Sequence, residues 1–206
     1  MKTNPVQGRI LLAVAAVAVA GCAAIGAQRF DVPAYAKASF AEKGAAKLDR
    51  LDQSELQRTC SEYALKPLPD ALRARLEKQE LARIKYPANS RYLGDWKQGE
   101  SIAQSGRGLQ FSDAPNTVAG GNCYACHQLT QQEVSYGTIG PSLHHYGKLR
   151  GNSEPILKYT WGKIWNSHAF NACTNMPRFG DAGILNEDQI RHVMALLLDP
   201  ASPVNR

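Results

Sequence analysis

Apolar side chains recur at three- and four-residue intervals along most of the chain, and no stretch alternates apolar with polar. The pattern predicts helices and no sheet. Between about Tyr35 and Tyr86, Leu48, Leu51 and Leu56, then Leu72, Leu76 and Leu81, mark two helices separated by Pro67 and Pro69, with Asp70 opening the second. The many Lys, Glu, Arg and Gln residues between these leucines read as a solvated face. Gly94 to Ala103, with Trp96, Gly99, Ile102 and Ala103, forms a third, short helix whose Gly99 admits close approach of another helix. Ser153-Glu154-Pro155 opens a fourth, with an acceptor and a first-turn proline, and turns Ile156, Leu157, Thr160, Trp161, Ile164 and Trp165 inward. The last helix carries the fullest set of signals: Asn186 as N-cap, Gln189 at the capping-box position, Glu187 and Asp188 in the first turn, and Ile190, Val193, Met194 and Leu197 on one face, until Pro200 ends it. The expected architecture is all-α, without internal repeats.

One apolar run belongs to no folded helix. Lys2 and Arg9 precede an uninterrupted stretch from Ile10 to Ala20, followed by small residues to Ala27, which is the layout of a secretory signal peptide. The run is too short to span a bilayer. Val19-Ala20-Gly21-Cys22 has the form of a bacterial lipobox, with Cys22 as the lipidated first residue of the mature protein; Ala23 or Ala27 would instead end an ordinary signal peptide. The expected division is residues 1–27 for export, 28–91 as a helical extension that packs on the rest or on a partner, and 92–206 as the main domain. The expected location is periplasmic, with a membrane anchor only if Cys22 carries lipid.

The 206 residues have a formal charge of +6, and loss of the export segment removes Lys2 and Arg9, leaving +4. The basic residues are scattered, so the mild surplus favours acidic protein partners and gives no reason to expect nucleic acid.

Cys123-Tyr124-Ala125-Cys126-His127 is the motif with the most specific chemistry. Two cysteines three apart share a face of a helical turn and can reach the two vinyl groups of one porphyrin as thioethers, while the adjacent His127 is delivered to the iron. The pattern therefore predicts one covalently bound haem c. A zinc ribbon needs a second, similarly spaced cysteine pair, and a thioredoxin-like redox pair needs βαβ surroundings; neither is present.

A haem held by His127 has a sixth position, for which Met176, Met194, His144, His145, His168 and His192 are candidates. Met194 lies on an apolar helix face, where methionine is ordinary core filling. His144 and His145 are adjacent and read as surface histidines. Met176 sits in a loop just before Pro177, which favours extended backbone there, about fifty residues after His127, and is the expected ligand. The carbonyl of Pro141, in Gly140-Pro141-Ser142-Leu143, is the expected acceptor for His127 Nδ1. Cys60 and Cys173 remain, and in an oxidising compartment they are expected to form a disulfide rather than stay as buried free thiols.

Together, the segments Gly121 to His127, Gly140 to Leu143, Asn175-Met176-Pro177-Arg178-Phe179-Gly180 and the ending Met194 to Asn205 resemble the SoxX family, the monohaem subunits of the SoxAX cytochromes of sulfur-oxidising bacteria. The resemblance covers about Tyr92 to Arg206. It implies a class I cytochrome c domain, with Cys123 and Cys126 holding the haem and His127 and Met176 ligating the iron. It also implies a heterodimer with a SoxA-type haem subunit, which joins thiosulfate oxidatively to a cysteine of a SoxY-type carrier. This subunit would take the electrons and pass them to a small acceptor cytochrome c, with no catalytic residue of its own. A stand-alone electron carrier would use the same ligands; a haem enzyme or gas sensor would leave the sixth position open.

Overall fold

The computed structural model describes residues 30–206; the expected signal peptide and Cys22 lie outside the described residues. Among the described residues there are seven α-helices, several short 3-10 turns and no strand. The protein is all-α.

Two compact units divide the chain between Phe40 and Ala41. In the first, helix α1 (Val32–Ser39) is capped by Asp31, whose carboxylate accepts the Ala34 N–H at 3.0 Å, and has proline in its first turn. Phe30 stacks obliquely on Tyr35, with ring centroids 5.0 Å apart.

The second unit spans Ala41 to Arg206 and so includes both the leucine-rich segment and the domain expected from residue 92. Its helices are α2 (Glu55–Glu62), α3 (Asp70–Leu81), α4 (Trp96–Gln104), α5 (Tyr146–Arg150), α6 (Glu154–Trp165) and α7 (Glu187–Leu198). The first helix expected from the leucine spacing is in fact two pieces, a 3-10 turn at Leu48–Leu51 and α2. Ser54 breaks it: extended at ψ 168°, it builds a capping box with Gln57 that starts a new helix. Asp70 is the first residue of α3 rather than its cap, because Pro69 takes the cap position and the Asp70 carboxylate turns to Arg73. Ser153 flanks α6 without a side-chain cap bond, which leaves Pro155 as the working start signal. The Asn186–Gln189 capping box of α7 forms in both directions.

Helices α4 and α7 make the most extensive helix contact of the unit. Gly99 is the reason they can: a Cβ there would stand 2.1 Å from the His192 carbonyl oxygen, so any side chain would force the pair apart. Around this crossing lies the main core, including Ile84, Tyr92, Tyr124, Trp161, Trp165, Phe179, Leu185, Ile190 and Met194. Trp161 packs between its neighbours, 5.8 Å from Tyr92 and 6.0 Å from Trp165 by ring centroids. At the C-terminal end of α7 the last carbonyls, which no helical N–H can reach, are taken by side chains: Ser202 donates to Leu196, and Asn205 to Leu197 and Asp199.

A second, smaller core explains what the leucine-rich segment does. Leu56 from α2 and Leu76 from α3 close over Ala172, with Cys60, Leu68 and Leu72 at the margin. Burying Leu56 and Leu76 stabilises the join by about 1.5–3 kcal/mol each. The segment is thus fastened to the loop that precedes Met176.

Candidate functional site

The Cys-x-x-Cys-His run folds as one tight turn. Asn122 enters it in the left-handed region at φ 46°, a conformation asparagine tolerates better than most residues, and Cys123–Ala125 form a 3-10 turn. The Cys123 carbonyl accepts both the Cys126 N–H (3.1 Å) and the His127 N–H (2.9 Å). The turn is fixed from behind by α4, since Gly121 donates to Ile102 at 2.8 Å and Asn122 to Ser105 at 2.9 Å.

The following loop runs alongside the motif. Gly137 donates to Tyr124, Gly140 to Cys126 and Leu143 to Gln128, each at 2.8 Å. This register sets the Pro141 carbonyl against the His127 ring, and His127 Nδ1–H donates to it at 2.6 Å. A carbonyl can only accept, so the proton of the neutral ring sits on Nδ1 and the lone pair on Nε2. The imidazole is oriented as a ligand through Nε2. Gly140 makes the approach possible: a Cβ there would lie 2.2 Å from His127 Cε1 and 2.5 Å from Nδ1.

The two cysteines are not joined to each other. Burial pushes the Cys123 thiol up to about 12, so at neutral pH it stays protonated. Disulfide-exchange sites need the opposite shift.

Met176 is half-buried against the main core, as is Cys123. Its backbone is held at both polar atoms: Ser167 Oγ–H donates to the Met176 carbonyl at 2.5 Å, and the Met176 N–H donates to Thr174 Oγ1 at 3.2 Å. Among the other candidate ligands, Met194 is fully buried in the core and His192 Nδ1 accepts the Asp95 N–H at 2.9 Å. His168 Nδ1–H donates to the Ala172 carbonyl at 2.6 Å, the same kind of bond that His127 makes. His144 and His145 are not simple surface histidines. Both are half-buried with rings 3.7 Å apart, because His145, at φ 60°, folds back so that its Nε2 meets the terminal Arg206 oxygen at 2.8 Å.

Cys60 and Cys173 form a disulfide with Cα atoms 5.5 Å apart. It lies at the margin of the smaller core and adds a covalent tie to the Leu56–Leu76–Ala172 packing.

Several polar residues at this join carry no motif signal. Glu80 on α3 is 5% exposed; its Oε2 accepts Asn166 Nδ2–H at 2.7 Å and lies 3.9 Å from Arg178 Nη1. Arg178 also pairs with Asp181 at 3.4 Å, and Arg83 forks onto both Asp181 oxygens at 3.0 and 2.9 Å. Glu77 accepts the Ala172 N–H. Beside them Trp165 Nε1 is buried with no hydrogen-bond partner. Only the spacing of Glu77 and Glu80 on α3, with Arg83 in the turn just after it, hints at this in the sequence, and in a segment so rich in charge the hint is lost.

Among the described residues no three His, Cys, Asp or Glu side chains gather as a metal-binding group, and no helix is long and apolar enough to cross a membrane. No protein-family model matches the chain. Over 158 residues, 75% of this chain and 73% of the relative, it is 35% identical to an uncharacterized lipoprotein of Aquifex aeolicus (strain VF5). The protein described here therefore belongs to the same family as that Aquifex lipoprotein.

Proposed function

We propose that this protein is an exported monohaem cytochrome c with a class I fold, working as the electron-transfer subunit of a SoxAX-type complex. The observation that carries the haem reading is the His127–Pro141 hydrogen bond inside a Cys-x-x-Cys-His turn. It fixes the ring tautomer that iron ligation through Nε2 requires, and a disulfide-based motif gives no reason for it; haem is favoured over zinc by the adjacent Cys-x-x-Cys pair, which has no second, similarly spaced cysteine pair to complete a zinc ribbon.

Other features of the site fit the same group. Cys123 and Cys126 would hold it as thioethers, and the upward shift of the half-buried Cys123 thiol runs against a disulfide-exchange role. Met176 would supply the sixth ligand from a loop secured at its own carbonyl and N–H. The unpartnered Trp165 Nε1–H is a donor available to a buried carboxylate such as a haem propionate. When bound, the iron supplies reversible one-electron transfer, and a thioether ligand favours its ferrous state. The protein's own part would be to orient His127 through Pro141 and to offer Met176 from its secured loop, with Cys123 and Met176 both packed against the core that contains Tyr124, Phe179 and Leu185.

The SoxX-type assignment rests on the resemblance of the Asn175–Gly180 loop and the C-terminal segment. Among the described residues Cys60 and Cys173 are joined as a disulfide and Cys123 and Cys126 would be taken up by the haem, so on this reading the thiosulfate chemistry falls to a SoxA-type partner and a SoxY-type carrier, with a small cytochrome as acceptor. The lipoprotein relative supports lipidation at Cys22 and anchoring of this chain outside the cytoplasmic membrane.

Haem staining of the denatured chain, after expression with a periplasmic haem-attachment system, tests the cofactor. Retained colour is expected in the wild type and none in Cys123→Ser/Cys126→Ser. Co-purification from the native organism tests the assembly: a second haem protein is expected, and isolation of the chain alone would leave a stand-alone carrier as the function.

A further inference from the structure

We infer that Glu80, on helix α3 and outside the motif-bearing part of the chain, is a positioning residue for Met176; this rests on the reading of Met176 as the iron ligand. One buried carboxylate touches both flanks of the methionine loop. On the upstream side, Asn166 Nδ2 donates to the Glu80 carboxylate at 2.7 Å and to the Glu80 carbonyl at 3.1 Å. The next residue, Ser167, donates its hydroxyl to the Met176 carbonyl. On the downstream side, Arg178, two positions past Met176 and only 16% exposed at its side chain, faces the same carboxylate oxygen at 3.9 Å and is steered by Asp181 at 3.4 Å. Arg83, one turn along from Glu80, completes the group by its fork onto Asp181.

The charges explain why the arrangement is specific. Asp181 and Glu80 are both nearly buried, and each meets an arginine, so the loop can settle only where Arg178 lies between the two carboxylates. Asn166 is fully buried, so the amide hydrogen it gives the Glu80 carboxylate has no water to turn to if that carboxylate is lost, and the neighbouring Ser167 that holds Met176 shifts with it. A methionine thioether is a weak ligand and depends on its backbone for placement. Glu80 therefore acts on the iron's sixth position through two neighbours without touching it.

The test uses the holoprotein, with carbon monoxide binding to the ferrous form and the midpoint potential as readouts. Haem staining of the wild type comes first, and its failure would remove the cofactor reading itself rather than the role of Glu80. In Glu80→Gln, carbon monoxide should bind about tenfold more tightly than in wild type, as expected for loss of one charge-assisted contact, and the potential should fall. Glu62→Gln, which breaks the exposed pair with Lys66, should change neither. Ser202→Ala, which removes the hydrogen bond to the Leu196 carbonyl at the end of α7, lowers stability through a different contact; an equal gain in carbon monoxide affinity there would overturn the inference, as would wild-type affinity in Glu80→Gln. If Glu80→Gln does not fold, Arg83→Gln removes the half-exposed outer arginine instead. It should shift affinity in the same direction and Arg83→Lys should restore it in part, while unchanged affinity in Arg83→Gln would equally refute the role.

Discussion

Cys60 and Cys173 are bridged across 113 positions of sequence, and Cys173 stands three residues before Met176. The bond joins α2 to the loop that carries the expected iron ligand, beside the small core of Leu56, Leu76 and Ala172. Fold stability and ligand placement therefore meet at one covalent link.

Thiol titration of the denatured, unreduced holoprotein should find no reactive thiol from Cys60 or Cys173. Two reactive thiols per chain would show that the bridge is absent in solution. Replacing both cysteines by serine should cost about 2–5 kcal/mol, as for removal of other long-loop disulfides, measured by denaturant unfolding.

Met176→Ala should lower the midpoint potential and open the ferrous iron to carbon monoxide, whereas Met194→Leu, a volume-conserving change inside the core, should leave the spectrum unaltered. Normal exclusion of carbon monoxide by Met176→Ala would reassign the sixth ligand.

Gly140→Ala places a methyl carbon inside the contact radius of the His127 ring, so the imidazole must rotate away from the Pro141 carbonyl. The expected result is poor haem attachment or an altered ferric spectrum. A holoprotein indistinguishable from wild type would mean that the ring is not held as described.

Gly99→Ala drives a Cβ into the His192 carbonyl on α7 and should destabilise the unit by about 1–3 kcal/mol, the usual cost of overpacking. Thermal unfolding of the holoprotein checks it; an unchanged midpoint would mean that α4 and α7 can separate freely.

If Cys22 carries lipid, the wild-type chain should appear in the membrane fraction and Cys22→Ala in the soluble fraction. The same soluble distribution for both would leave ordinary signal cleavage as the processing route.

What could be read in advance was local. The α7 capping box, the inward face of α6 and the close approach at Gly99 are each written within a few consecutive residues, and each appears where expected. The Pro141 carbonyl, 14 positions from His127, is the acceptor expected from the Gly140-Pro141-Ser142-Leu143 segment, and His127 Nδ1 meets it. The break at Ser54 was missed because leucine spacing continues across it while the capping chemistry wins locally. Glu80 was missed for a different reason. Nothing near it in sequence distinguishes it from the solvated glutamates of α3, and it is buried by residues at 166 and 178, whose approach depends on the whole fold. His144 and His145 were misjudged likewise, since the C-terminal residue that draws in His145 lies 61 positions on.

The acceptor for His127 is a main-chain oxygen, so no single side-chain deletion abolishes it. Whatever amino acid occupies position 141, the carbonyl remains, and drift at that site is harmless so long as the backbone path is kept. Fragility is displaced one step along the chain, to Gly140, where the same backbone path forbids every side chain. Across descendants of this protein, residue 141 is then constrained only through the backbone path that proline's fixed φ helps to set, while residue 140 excludes every side chain outright. That asymmetry could be read from an alignment of relatives before any spectrum is recorded.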